Sequence, residues 1–114
     1  MKLFRIVLAM LWILLVTYTA VVVSRHGLNL FPIFFGDMAR LGWPGQFNLD
    51  FTLMLTLSAT WVTWRSGFSL QGWLLGGLAL VGGASFLTLY LLWLTFRTRG
   101  DARKLVLGVH HASA

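Results

Sequence analysis

The chain has 114 residues, room for one domain, and 58% of them are hydrophobic while only 11% are charged. A soluble domain this small leaves much of its surface in water, so that balance and a mean hydropathy of +0.80 exclude an ordinary water-soluble fold. The net charge of +6 lies outside the apolar runs with no aromatic-interleaved basic surface, which argues against nucleic acid, and the lack of cysteine excludes disulfides and thiolate chemistry.

Met1 to Arg5 is short and basic, and Ile6 to Val23 then carries no charge. Its Ile, Leu and Val residues each favour insertion by up to about 0.5 kcal/mol, so a first span over about 4–24 follows. The basic start has the form of a signal peptide, but the run is long enough to cross a bilayer and reads as a retained anchor. Trp12, away from the interface, reads as a packing residue.

Arg25-His26-Gly27 closes that helix with charge and a C-cap residue. Leu28 to Leu41 is apolar but too short and too charged to span. Phe31, Phe34, Phe35, Met38 and Leu41 fall on one helical face, with Gly36, Asp37 and Arg40 on the other, and Pro32 suits a first turn. The spacing predicts a short amphipathic helix over about 31–41, lying in the interface and able to serve as a lid or docking surface.

Trp43-Pro44-Gly45 suits a type II turn. Asn48 is then an N-cap, and Asp50 falls in the first turn of a second span over about 47–65, where the helix dipole favours a carboxylate. The alternative makes Asp50 an intramembrane carboxylate for protons or cations. Asn48 and Asp50 are thus the candidate functional polar residues. Thr52, Thr56, Thr60 and Thr63 continue from Asn48 at helical spacing, with Ser58 elsewhere.

The polar turn Arg65-Ser66-Gly67-Phe68-Ser69 leads into a third span over about 72–96. Gly72, Gly76, Ala79 and Gly83 form a small-residue face there, widened by Gly77 and Gly82. A short turn makes these two helices antiparallel neighbours, so the glycine face is expected to meet the threonine face, with a homodimer contact as the competing use. Trp61, Trp64 and Trp73 would mark one membrane surface, and Tyr18, Trp43, Tyr90 and Trp93 the other. Three crossings place Lys2, Arg5 and Arg65 on one side. Arg25, Arg40, Arg97, Arg99, Arg103 and Lys104 fall on the other, which favours a cytoplasmic C-terminus.

The basic tail, 97–114, reads as a topological collar in contact with anionic lipid, with an interfacial turn over Leu105 to Val109. His110 and His111 are adjacent and diverge by about 100° on a helix, so no metal site is expected. No paired carboxylate, catalytic triad or phosphate loop is present; Gly76-Gly77 and Gly82-Gly83 lack the strand-turn-helix setting of a nucleotide motif. No catalytic residue, metal or cofactor is assigned.

The stretch His26-Gly27-Leu28-Asn29-Leu30, Phe35-Gly36-Asp37 and Trp43-Pro44-Gly45-Gln46-Phe47-Asn48-Leu49-Asp50-Phe51, with the apolar helices around it and Arg97-Thr98-Arg99-Gly100-Asp101, resembles a group of small three-helix integral membrane proteins of Gram-negative bacteria. That group has no assigned activity; the resemblance implies a multi-pass inner-membrane location. The expectation is therefore an all-α membrane protein, 1–114 as one domain: three transmembrane helices in a small bundle plus an interfacial helix. Its function is read as non-enzymatic: an accessory subunit, an assembly factor or a homo-oligomer, with the bilayer and a membrane protein as partners. Binding of a lipid or lipophilic molecule beside Trp12 and Phe34, and oligomeric transport through Asp50, are the alternatives.

Overall fold

The computed structural model describes residues 1–113, with side chains described as far as His111; the last residue of the tail lies outside it. The described residues are helical with no strand.

Helix α1, Lys2–His26, is about 37 Å long at 1.5 Å per residue. It ends at Gly27, whose φ of 75° frees its N–H to donate to the Val23 carbonyl. Leu8 is its one fully buried residue, Trp12, Leu15 and Val23 are half-buried, and most of its other apolar side chains face outward. A helix apolar all round belongs in a hydrophobic medium.

Helix α2, Leu30–Ala39, is shorter than the 31–41 expected. Leu41 lies beyond it at φ 56° and is 92% exposed, so the five-residue apolar face is not continuous. Phe34 and Met38 are half-buried, while Phe31 and Phe35 stay exposed and stack at 6.5 Å.

Helix α3, Trp43–Arg65, starts earlier than the sequence suggested, from an extended Gly42. The type II turn expected at Trp43-Pro44-Gly45 does not form. Pro44 occupies the first helical turn instead, where its missing N–H costs nothing. Asn48 is consequently not the N-cap and Asp50 is not in the first turn. Gly45 is buried against α2: a Cβ there would collide with the Asp37 carbonyl oxygen and stand 2.8 Å from Met38 Cα. Asn48 Nδ2 donates to the Phe34 carbonyl at 3.0 Å and closes the same contact.

Helix α4, Leu70–Arg97, is capped by Ser69, whose hydroxyl accepts from the Gly72 N–H at 3.1 Å. By length and composition α1 and α4 could each cross a membrane. The geometry of α4 is not that of one straight helix. Gly83, at φ 58° and ψ −141°, interrupts it. A straight helix would put Gln71 and Arg97 about 39 Å apart, yet both line one cavity. Ala79, Tyr90 and Leu94 likewise share one core cluster with Val62 of α3. The chain therefore folds back at Gly83 into two arms, 70–82 and 84–97, each about 20 Å long. The continuous helix expected over 72–96 is instead a helical hairpin, because Gly83 adopts a backbone conformation that L side chains rarely reach.

The fold-back also corrects the expected distribution of charge. Arg5 Nε donates to Thr95 Oγ1 at 3.0 Å and Nη2 to the Thr95 carbonyl at 2.8 Å, tying the start of α1 to the end of α4. Lys2, Arg5, Arg65, Arg97, Arg99, Arg103 and Lys104 thus gather at one end, leaving Arg25 and Arg40 at the other. Tyr90 and Trp93 move with them: Tyr90 lies 6.2 Å from Trp61, not on the opposite surface.

The expected seating of glycines on threonines is altered as well. Gly72, Gly76, Ala79 and Gly83 are all buried. A Cβ on Gly76 would collide with Thr63 Oγ1, one on Gly72 would meet Ser66 at 2.8 Å, and one on Gly83 would meet Phe51 Cζ at 3.0 Å. The first arm therefore lies on Phe51, Ala59, Thr63 and Ser66. Thr63 is the threonine in that contact, 4% exposed, its hydroxyl 2.9 Å from the Ala59 carbonyl and 3.3 Å from the Gly72 carbonyl. Thr52, Thr56 and Thr60 donate instead to carbonyls four residues back, at 2.8, 2.9 and 2.8 Å. Each four-residue step advances about 40° around a helix, so the stripe winds off the contact face, and Thr56 and Thr60 are exposed.

Candidate functional site

The gathered end is built by the tail. Arg99 at φ 54° and Gly100 at φ 79° reverse the chain after α4. Asp101 then caps helix α5, Ala102–Leu107: its Oδ1 accepts from the N–H of Arg103 at 3.0 Å and of Lys104 at 3.3 Å. The Lys104 N–H is the main reason the Asp101 carboxyl lies below its ordinary 3.8; partial desolvation opposes it, and the Arg103 N–H and the charges of Lys104 and His111 reinforce it.

Helix α5 is held by its carbonyl end. The Arg65 guanidinium donates from Nε to the Leu105 carbonyl and from Nη2 to that of Lys104, where the dipole favours a cation. Trp61 Nε1 donates to the Val106 carbonyl at 3.1 Å. The 3-10 turn Gly108–Ser113 continues across the end of α3. There Gly108, at φ 57°, presses on the Arg65 backbone, where a side chain would collide. His110 stacks on Trp64 with ring centres 4.1 Å apart, and its Nε2 lies 2.8 Å from the Trp64 carbonyl.

These contacts border an open cavity of about 670 Å³ between the α3–α4 turn, the second arm and the tail. Arg65, Arg97, Lys104 and His111 line it, together with Tyr90 and Trp93, and none of its lining residues is acidic. Arg97 is positioned by Trp93, with its guanidinium carbon 5.2 Å from the ring centre. Tyr90 is 5% exposed and its hydroxyl has no partner among the described residues; His111 Nδ1 also has none. The first turn of α4 contributes Ser69 and Gln71 to the wall, and a helix N-terminus carries partial positive charge. Chemically, the cavity is suited to an anion.

A second cavity, of about 350 Å³, is a groove between α3 and the first arm. It is lined by Thr56, Thr60, Thr63, Gly76 and Gly77 with Phe68 and Trp73 above them. Gly77 has open space where a Cβ would stand.

The residues singled out from sequence thus fall into separate places. Thr63, Gly72, Gly76, Ala79 and Gly83 come together in the interior, whereas Thr56 and Thr60 line the open groove. Asn48 binds α2. Asp50 has an exposed side chain in the body of α3 and lines neither cavity. Neither cavity touches Trp12 or Phe34, where the alternative reading placed a lipophilic ligand. Among the described residues no three metal-ligating side chains gather. The basic cavity went unread because it depends on the Gly83 reversal, which brings Tyr90, Trp93 and Arg97 to Arg65. The signal available was the Gly82-Gly83 pair midway along the apolar run.

Comparison of the chain with protein-family models, with curated proteins and with solved structures finds no match.

Proposed function

We propose that the chain is a small integral inner-membrane protein without catalytic chemistry, acting as a helix-packing subunit, assembly factor or homo-oligomer. In this reading α1 and α3 cross the bilayer, α2 lies along one interface, and α4 is a re-entrant hairpin entering from the other. The bare apolar surface of α1 and the length of α3, about 35 Å, support two crossings. A broken helix at membrane depth is tolerated when protein covers it, and Gly83 is buried against Phe51 and Leu55. Both termini then share the basic end, which the excess of Lys and Arg makes cytoplasmic. This keeps the cytoplasmic C-terminus expected from sequence but moves the N-terminus to the same side.

The observation that carries the packing role is the outward-facing groove. Thr56, Thr60 and Gly77 present a small, smooth surface whose hydroxyls are already satisfied by their own helix. Such a surface admits another transmembrane helix at close range, from a second copy or a partner subunit. The chain has no cysteine, so a single Thr60→Cys variant reports on this directly. Oxidation in native membranes should give a disulfide-linked dimer, or a crosslinker should capture a distinct membrane protein. A monomer that captures nothing, and brings nothing through mild-detergent purification, would refute the packing role.

A further inference from the structure

We propose that the 670 Å³ basic cavity is a binding site for the phosphate headgroup of an anionic phospholipid. The inference rests on the membrane reading for the placement of the cavity at the cytoplasmic interface, and goes beyond it by assigning a ligand.

Three observations converge. Arg65, Arg97 and Lys104 converge on one cavity with no acidic residue in its wall. Among the described residues the single salt bridge is Asp37 with Arg40 at the far end of the molecule; Asp101 attracts Lys104 and His111 from outside the cavity wall, and Arg65 and Arg97 have no carboxylate beside them. The first turn of α4 adds the positive end of a helix beside Ser69 and Gln71. Tyr90, nine-tenths buried, packs in the wall of the same cavity, with its hydroxyl buried away from the open space.

The remaining wall selects among anions. Leu75, Leu94 and Val109 are apolar and Trp93 is half-exposed at the rim, a lining suited to a headgroup that continues into acyl chain. A free phosphate ion has no use for that surface. The volume also falls in the range of small-molecule sites. The cytoplasmic leaflet is where anionic lipids attract basic segments. Arg65 has a double duty: its guanidinium holds the tail through the Leu105 and Lys104 carbonyls, so ligand occupancy and tail docking share one residue.

The test is native mass spectrometry of the full chain released from nanodiscs of phosphatidylglycerol, phosphatidylcholine, or an equal mixture. One phosphatidylglycerol per chain should survive release, at least tenfold over phosphatidylcholine from the mixture. The Arg97→Gln/Lys104→Gln variant should lose that preference, while Arg25→Gln/Arg40→Gln, with the same change in net charge, should keep it. Equal retention of both lipids by the wild type overturns the site without any reliance on a variant. So does equal loss in the two charge variants, or displacement of the lipid by millimolar inorganic phosphate, which would make free phosphate the ligand. A chain that stays monodisperse without detergent defeats the membrane reading itself. A detergent-requiring chain that retains no lipid defeats only the site.

Discussion

Trp61 and Tyr90 stand edge to face with ring centres 6.2 Å apart, and Tyr90 stacks in turn on Phe86 at 5.5 Å. Trp61 lies level with the start of the first arm, where Thr63 meets Gly72 and Gly76. An unbroken α4 would carry Tyr90 about 24 Å beyond it. The ring contact is therefore a direct signature of the hairpin. It also implies that Gln71 and Thr98, at opposite ends of α4 in sequence, are neighbours across the cavity. A Gln71→Cys/Thr98→Cys variant should be joined within one chain by a short bis-maleimide, leaving the core untouched. A straight helix, separating the pair by about 40 Å, would give no intramolecular product.

The reversal depends on one glycine. Gly83→Val forces a branched side chain into a φ of 58° and brings its Cβ to 3.0 Å from Phe51 Cζ. Strain of this kind costs of order 1–3 kcal/mol, and the clash adds to it. Thermal unfolding in detergent should show a clear loss of stability. Gly77→Ala is the matched comparison, since its Cβ enters open space. That variant should be neutral to slightly stabilising in the monomer, so any weakening of self-association by it would report on the groove.

Gly76 and Thr63 form a testable pair. A methyl on Gly76 would collide with Thr63 Oγ1 and come within 3.1 Å of the Ala59 carbonyl. Gly76→Ala alone should cost about 1–3 kcal/mol, the usual range for overpacking. Thr63→Ala removes the hydroxyl and opens the space, so the double variant should recover part of that loss. Strict additivity, measured by denaturant or thermal melts, would mean that the two side chains do not meet.

Much of this architecture was legible in the sequence. The apolar run of α1, the polar turn after Arg65 and the burial of Gly72, Gly76, Ala79 and Gly83 follow from composition and spacing. The reversal did not, because glycine serves two purposes in lipid. It smooths a helix face, and it admits backbone conformations closed to other residues. Spacing reveals the first use and hides the second at Gly83. Asn48 was misread for a related reason: Asn is a strong cap in isolation, but Gly42 with Pro44 starts the helix earlier, and Asn48 is needed against α2. The tail site was invisible locally, since Arg65, Arg97 and Lys104 converge only after two reversals, at Gly83 and at Arg99-Gly100.

His110 should anchor the tail. Its ring lies over Trp64 at an interplanar angle of 16°, and Nε2 is 2.8 Å from the Trp64 carbonyl. An aromatic stack of this kind is worth about 0.5–1.5 kcal/mol beyond its buried area. His110→Ala should raise the population of undocked tail about fivefold, read as faster tryptic cleavage after Arg103 with the helices otherwise intact. An unchanged cleavage rate would assign the anchoring to Arg65 and Trp61 alone.

Asp101 should make docking of the tail sensitive to acid. Its carboxylate receives the Lys104 and Arg103 N–H groups, which holds its folded pKa below the ordinary 3.8. A group lowered on folding contributes stability above its unfolded pKa and loses it as pH falls through the folded one. The cap is therefore fully present at neutral pH, begins to weaken near 3.8, and is gone below the lowered value. Lys104 and His111 face the carboxylate with positive charge, and neither reverses the sign. Hydrogen exchange at the α5 amides should accelerate in that acid window. Asp101→Asn keeps the capping oxygen and removes the charge, so its exchange should show no step there. A step of equal size in both proteins would place the acid-sensitive group elsewhere, with Asp37, Asp50 and the α-carboxyl to examine.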